Sequence, residues 1–263
     1  MMRWKLLILS LFISVTVNGQ GGGCIPTRSE YPFRDGERIT LSLMYKWGAV
    51  NTEVGQAFVD LDSLRFNGEP AFHVNFRVKS APFFDLFFKM REDFHSWMTI
   101  KDLKPVKFTR DTYEGGYTAT NDYNYDWPNN VIHADVNFNN RGEEHYEIPL
   151  HECAYDLPAL IYYLRTMDLS RMNAGEKYDL SFAIDDTVFD IILTYRGREK
   201  INVRKMGKRD ALLFTCSVVS GAMFEGDQEV KFWFSDDGHY VPLAVMAPLR
   251  VGACWCWLKD FKP

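Results

Sequence analysis

Apolar and polar side chains alternate with a period of two along most of the chain. Ile39, Leu41 and Leu43 alternate with Thr40, Ser42 and Met44, and Phe72, Val74, Phe76 and Val78 alternate with His73, Asn75, Arg77 and Lys79. Similar runs cover 131–138, 178–182, 188–194, 230–234 and 241–245. Turn signals separate them: Asn67-Gly68, Gly115-Gly116, Pro128-Asn129-Asn130, Arg141-Gly142, Arg196-Gly197 and Asp236-Asp237-Gly238. Side chains of a strand point alternately to its two faces, and short turns join antiparallel neighbours, so the pattern predicts a succession of hairpins. One segment departs from it. Asp156-Leu157-Pro158 reads as an N-cap with proline in the first turn, and Leu160, Ile161, Leu164, Met167 and Leu169 recur at helical spacing before Asn173-Ala174-Gly175. The predicted fold class is mainly β (α+β). One large, strongly curved antiparallel sheet or half-barrel over residues 34–261 holds one principal helix near 157–169. That helix belongs on the concave side, where its apolar stripe can be buried.

The helix divides two related halves. Gly36-Glu37-Arg38-Ile39-Thr40-Leu41 is echoed by Gly175-Glu176-Lys177-Tyr178-Asp179-Leu180, and 71–80 by 211–220. Leu103-Lys104-Pro105 is echoed by Tyr240-Val241-Pro242. Three echoes in the same order at nearly constant offset suggest two duplicated β units.

The first nineteen residues bear on compartment. Arg3 and Lys5 precede an apolar run from Leu6 to Val17, and Val17-Asn18-Gly19 resembles a cleavage site, which is the layout of a secretory signal peptide. About twelve residues is short of the roughly 20 that a membrane span needs. The expected protein is exported, in the periplasm or associated with the outer membrane, with 20–33 a mobile leader. Removing 1–19 takes the net charge from −5 to −7. Such a balance gives the whole molecule no electrostatic attraction to nucleic acid or anionic lipid. The basic stretch Arg196–Arg209 alternates with Ile201, Val203 and Met206 and reads as the solvated face of a strand.

Five cysteines remain: Cys24, Cys153, Cys216, Cys254 and Cys256. An odd number leaves at least one thiol unpaired within the chain. Cys254 and Cys256 lie on one face of a strand, where a bridge between them is awkward, so Cys153 or Cys24 is the expected partner of either. Cys216 reads as a small buried hydrophobe. A lipid anchor at Cys24 is disfavoured by Gly21-Gly22-Gly23, which lacks the aliphatic residue of a lipobox.

Several segments in order resemble the domain-of-unknown-function 3108 family of exported bacterial proteins. They are Gly36-Glu37-Arg38, Phe83-Phe84-Asp85 with Phe88-Lys89, Arg91-Glu92-Asp93-Phe94, and Glu114-Gly115-Gly116-Tyr117. Tyr162-Tyr163-Leu164-Arg165 and Trp233-Phe234-Ser235-Asp236-Asp237 leading to Val241-Pro242 complete the set, so the resemblance spans 34–261. It implies an envelope protein without an established activity, similar to the curved half-barrels of lipoprotein carriers. The chain departs from the family pattern at Cys254-Trp255-Cys256-Trp257.

No nucleophile elbow, P-loop or dinucleotide fingerprint is present, and neither a cofactor nor a catalytic residue is expected. His145, His151 and Cys153 are the nearest approach to a zinc set, with geometry left open by Pro149, and no metal is assigned. Asp185-Asp186 and Asp236-Asp237 read as turn residues that cap their own backbone rather than as acid–base pairs. The segment Pro82-Phe83-Phe84-Asp85-Leu86-Phe87-Phe88 is more informative. Read as a strand, it points Phe83 and Phe87 one way and Phe84, Leu86 and Phe88 the other, so both faces need cover. Burial between sheet and helix is one reading. The other is a ligand cavity in the concave face, lined by Phe84, Phe88 and Tyr163 with Arg91 and Arg165 at its mouth to meet an anionic head group. The function expected first is non-enzymatic binding of a hydrophobic or amphipathic ligand, a lipid or lipid-linked glycan. An envelope module that docks a protein partner is the second reading, and a hydrolase without a recognisable motif the third.

Overall fold

The computed structural model describes residues 27–151, 153–218, 229–249 and 251–263. A first meander runs through β1 (Arg38–Trp47), β2 (Val50–Phe66), β3 (Glu69–Ser80), β4 (Met90–Thr99) and β5 (Pro105–Glu114), then β6 (Tyr117–Asp126), β7 (Val131–Phe138) and β8 (Glu143–Pro149). The two-residue β9 (Ala154–Tyr155) and the helix α1 (Leu157–Arg165) follow. A second meander comprises β10 (Lys177–Ile184), β11 (Thr187–Val203), β12 (Gly207–Val218), β13 (Val230–Ser235), β14 (Pro242–Pro248) and β15 (Ala253–Lys262). Among the described residues these form one open, curved sheet in the order β8-β7-β6-β5-β4-β3-β2-β1-β15-β14-β13-β12-β11-β10-β9. The seam between the meanders is the antiparallel pair β1–β15, with Leu43 opposite Cys256 and Leu41 opposite Leu258.

The predicted alternation is what curls this sheet around its core. Along β4 the inward residues Glu92, Phe94, Ser96 and Met98 are buried, while their outward neighbours are only partly covered. The helix packs on β3 and β4 from one arm and on β10 from the other, which places it inside the curve. Asp156 caps it as predicted, its carboxylate accepting the Ala159 N–H at 2.9 Å. The α-helix ends at Arg165, short of the predicted 169. Thr166 leaves helical geometry, and its hydroxyl donates to the Tyr163 carbonyl at 2.7 Å, competing with the backbone for that acceptor.

The two halves correspond strand for strand at their starts. β2 and β11 each have 17 residues, and β3 and β12 each have 12. Gly36 N–H donates to the Leu61 carbonyl and Leu61 N–H returns to Glu37. Gly175 N–H likewise donates to Tyr195, and Tyr195 returns to Glu176. Both glycines have positive φ, 84° and 94°, which lets the chain turn into its first strand without a Cβ penalty. Leu103 and Tyr240 each adopt the left-handed conformation two residues before a proline, at φ 55° and 48°. The sequence echoes therefore mark equivalent turns.

Three expectations change. Of the leader, residues 27–33 are docked rather than mobile. Thr27 bridges to Met167, Arg28 N–H donates to the Thr166 carbonyl at 2.7 Å, and Phe33 is buried against Tyr162. Cys254 and Cys256 are free thiols, as is buried Cys216, whereas Cys153 is disulfide-bonded. The bridge expected for the Cys254-Trp255-Cys256 segment is not made, since the Cys153 sulfur is committed to a disulfide with neither of them. Residues 83–88 do not form a strand. The signal peptide and Cys24 lie outside the described residues.

Candidate functional site

Chain leaving β3 cannot continue the ladder at Pro82, which lacks an N–H. It folds instead into a short 3-10 turn, Phe84–Leu86, held to the sheet by polar clamps. Ala81 N–H donates to the Val54 carbonyl at 2.8 Å, which fixes the take-off beside β2. Asp85 turns inward, accepts from the Ser80 hydroxyl and pairs with Arg91 Nη2 at 2.5 Å. These bonds to its charged form hold the Asp85 carboxyl down at about 2. Ser80 Oγ in turn accepts the Met90 N–H at 2.8 Å, so the two ends of the loop are tied together. Gly115 N–H donates to the Lys89 carbonyl at 2.9 Å. A Cβ at Gly115 would stand 2.5 Å from the Phe88 ring, so the glycine of the β5–β6 turn is the seat on which that ring lies.

This pinned loop holds apolar side chains in the open. Phe83 is 65% exposed, Leu86 79%, Phe87 74% and Phe88 54%. Beside it, on the outer face of β3, β4 and β5, lies a groove of about 380 Å³ lined by Arg77, Lys79, Arg91, Asp93, Asp111 and Tyr113. Cross-strand register explains the lining: Lys79 stands opposite Arg91, Arg91 opposite Tyr113, and Asp93 opposite Asp111. An apolar ledge thus adjoins a groove of mixed charge, in which Arg77 is paired with Asp60 and Arg91 with Asp85, while the Lys79 ammonium lies over the Phe58 ring. Chemically the ledge suits an apolar tail, and Lys79 is the cation beside it that can meet an acidic head.

Of the five predicted site residues, the structure brings Phe84, Phe88 and Arg91 together at this loop and places Tyr163 and Arg165 elsewhere. Tyr163 is a core residue stacked on Tyr155 at 4.4 Å. Arg165 is fully buried at the opposite rim, where its Nη2 meets Glu37 at 2.8 Å and the His239 carbonyl at 3.1 Å. It serves no cavity mouth, since Glu37 already neutralises it, and it sits over the rings of Phe33 and Tyr162. A cleft of about 610 Å³ opens above this pair, bordered by Tyr31, Arg34 and His239, but the only buried charge there is matched. The concave interior is filled by α1 and the core around it. Sequence reasoning missed Arg77, Lys79 and Tyr113. The signal for Arg77 and Lys79 was present in the alternation of β3, and Tyr113 is an outward position of β5 opposite Arg91.

The remaining polar candidates resolve into structure. His145 pairs with Asp135 at 2.8 Å, and no cluster of three or more metal-ligating side chains occurs among the described residues. Asp185 sits in a hairpin turn at φ 57° and receives Arg110, while Asp237 accepts from Ser235 and from the His239 N–H. The basic face of β11 is ion-paired, Arg196 to Glu229, Arg198 to Asp236 and Lys200 to Asp210.

Fold and site together define an open, β-barrel-like protein with an interior helix and an apolar loop at one rim. The sequence profile of DUF3108, a family of proteins of unknown function, matches residues 42–254, and the chain belongs to that family. Its fold is similar to the crystal structure of a β-barrel-like protein of domain of unknown function DUF1849 from Brucella abortus. The TM-score is 0.56 at 10% identity, over 87% of this chain and 97% of that one. No curated protein matches the chain.

Proposed function

We propose that this is an exported, non-enzymatic protein of the bacterial envelope that binds an amphipathic molecule. The ligand's anionic head lies beside Lys79 in the groove and its acyl chain lies on the Phe83–Phe88 loop. One observation carries the reading. A loop whose backbone is tied down at both ends exposes four large apolar side chains, which costs solubility and is unusual unless something covers them. The filled interior speaks for the outer rim over the concave face as the place of binding. A monomeric lysophosphatidylglycerol, titrated below its micelle concentration, tests it. Binding should be saturable and weakened by Phe87→Ser and by Lys79→Ala, and lysophosphatidylcholine should bind more weakly. Equal binding by both variants and both head groups would refute it.

A further inference from the structure

The rim that carries the Phe83–Phe88 loop has more apolar surface than the loop alone. Strands β1, β3, β5 and β14 end at this rim, and β2, β4, β6 and β15 begin there. Every large hydrophobic side chain that is exposed among the described residues belongs to it, and none belongs to the opposite rim. The β1–β2 turn presents Trp47 and Val50, and the β14–β15 turn presents Leu249 and Val251. These two turns touch: a Cβ on Gly252 would lie 3.0 Å from Trp47 Cβ and 2.3 Å from the Lys46 carbonyl. The β1–β2 arm also continues past the end of β3, whose last residue Ser80 pairs with Gly55. The loop leaves alongside that arm through the Ala81–Val54 bond. Six adjacent strands thus carry three neighbouring apolar tips.

Charge at these tips differs from that of the whole molecule. Lys46, Lys79 and Lys89 are exposed beside them. Of the nearby carboxylates Asp85 is engaged by Arg91 and Glu53 by Arg204 and Lys259, while Glu114 at the end of β5 lies beside Glu92. A chain with formal net charge −5 therefore turns a basic, aromatic edge outward. Aromatic and aliphatic tips ringed by lysine match the boundary of a bilayer, where rings enter the head-group layer and ammonium groups meet lipid phosphates.

We propose that this rim docks the protein on the surface of a bilayer containing anionic lipid, with the tips of β1–β2, β3–β4 and β14–β15 in the interface and the opposite rim facing away. The inference rests on the amphiphile reading for the β3–β4 loop and extends it to two tips that touch no part of the groove. It assigns the bilayer itself as the partner.

The test is co-sedimentation of the full chain with vesicles of phosphatidylcholine, with and without 30% phosphatidylglycerol (roughly the anionic content used to mimic charged membranes). Fluorescence quenching by brominated lipid is measured alongside. Expected are binding to the anionic vesicles and quenching that Trp47→Phe abolishes. Trp47→Ser with Val251→Ser should weaken vesicle binding about tenfold or more by removing interfacial apolar area. Exchange of Lys46, Lys79 and Lys89 for Gln should weaken it about a hundredfold on anionic vesicles. All these positions are exposed, and unchanged circular dichroism and melting temperature confirm folding. No sedimentation with either vesicle, or binding and quenching indifferent to Trp47 and Val251, would overturn the docking surface. Retained lysolipid binding in that case leaves the reading of the groove standing. Vesicle docking without lysolipid binding supports the docking rim and overturns the groove.

Discussion

Arg165 and Glu37, 128 residues apart, face each other as a two-pronged ion pair sealed from solvent, with the Tyr162 hydroxyl donating to the same carboxylate at 3.0 Å. The pair ties the last turn of α1 to the start of β1. Desolvating two charges offsets much of their attraction, so the pair adds little net stability, whereas an orphaned partner is expensive. Arg165→Met should therefore cost about 3–5 kcal/mol in urea denaturation, and Glu37→Gln a comparable amount. The double variant Glu37→Leu/Arg165→Met should be more stable than Arg165→Met alone. Lysolipid binding should be unaffected in whichever variants fold.

Two buried carboxyls should make stability fall as pH rises. Burial pushes Asp156 from an ordinary 3.8 up to about 7, and Glu92 from 4.5 to about 7. The folded state then holds protons that the unfolded chain releases. Their contribution is complete below about pH 4 and is lost as pH rises through 7. Melting temperature should decline across that window, and Asp156→Asn, which keeps the helix cap, should flatten the decline. Asp85 acts in the opposite sense. Its contribution is present above about pH 4 and is lost as pH falls toward 2.

Phe88 separates core from rim. A fully buried phenylalanine costs ~3–5 kcal/mol on truncation. With half its surface open, Phe88→Ala should cost less than about 1 kcal/mol, in the range of ordinary surface changes. Gly115→Ala should unseat the same ring, at φ 55° and with no room for a methyl group. It should therefore weaken lysolipid binding without touching any residue of the loop, as titration calorimetry would show.

The free thiols should react in order. Cys254 and Cys256 share a hydrogen bond that favours the thiolate of Cys254 and disfavours that of Cys256, while burial pushes Cys216 up to about 12. The thiolate is the nucleophile, so iodoacetamide at pH 8 should label Cys254 first. Peptide mapping that finds Cys216 or Cys256 labelled ahead of it would contradict this order.

The strands, the helix cap and the paired halves are legible in the sequence because each rests on local chemistry. Alternation of two, Asp156 before Pro158, and glycine ahead of Glu37 and Glu176 need no tertiary information. The Phe83–Phe88 run misleads because apolar composition argues for burial. What holds it out is a set of polar clamps, Asp85 to Arg91 and Ser80, that no hydrophobic pattern encodes. Arg165 misleads for the converse reason. A cation at a helix end usually seeks solvent, and its partner lies at the far end of the first meander, beyond any spacing rule. Arg77 and Lys79 read as the solvated side of a strand, which they are. Their role as groove walls depends on register with Arg91 and Tyr113.

Every strand pairing in the sheet but one joins neighbours in sequence, the exception being β1 with β15. Hairpins can zip as they emerge, but the outer edge of β1 must wait some two hundred residues for its partner, and loop closure of that length is slow to reward. During synthesis an unpaired apolar edge, Ile39 to Leu43, is therefore open to any passing strand. The order of manufacture makes the first strand the last to be satisfied, and a nascent chain of this kind depends on whatever shields that edge in the interval.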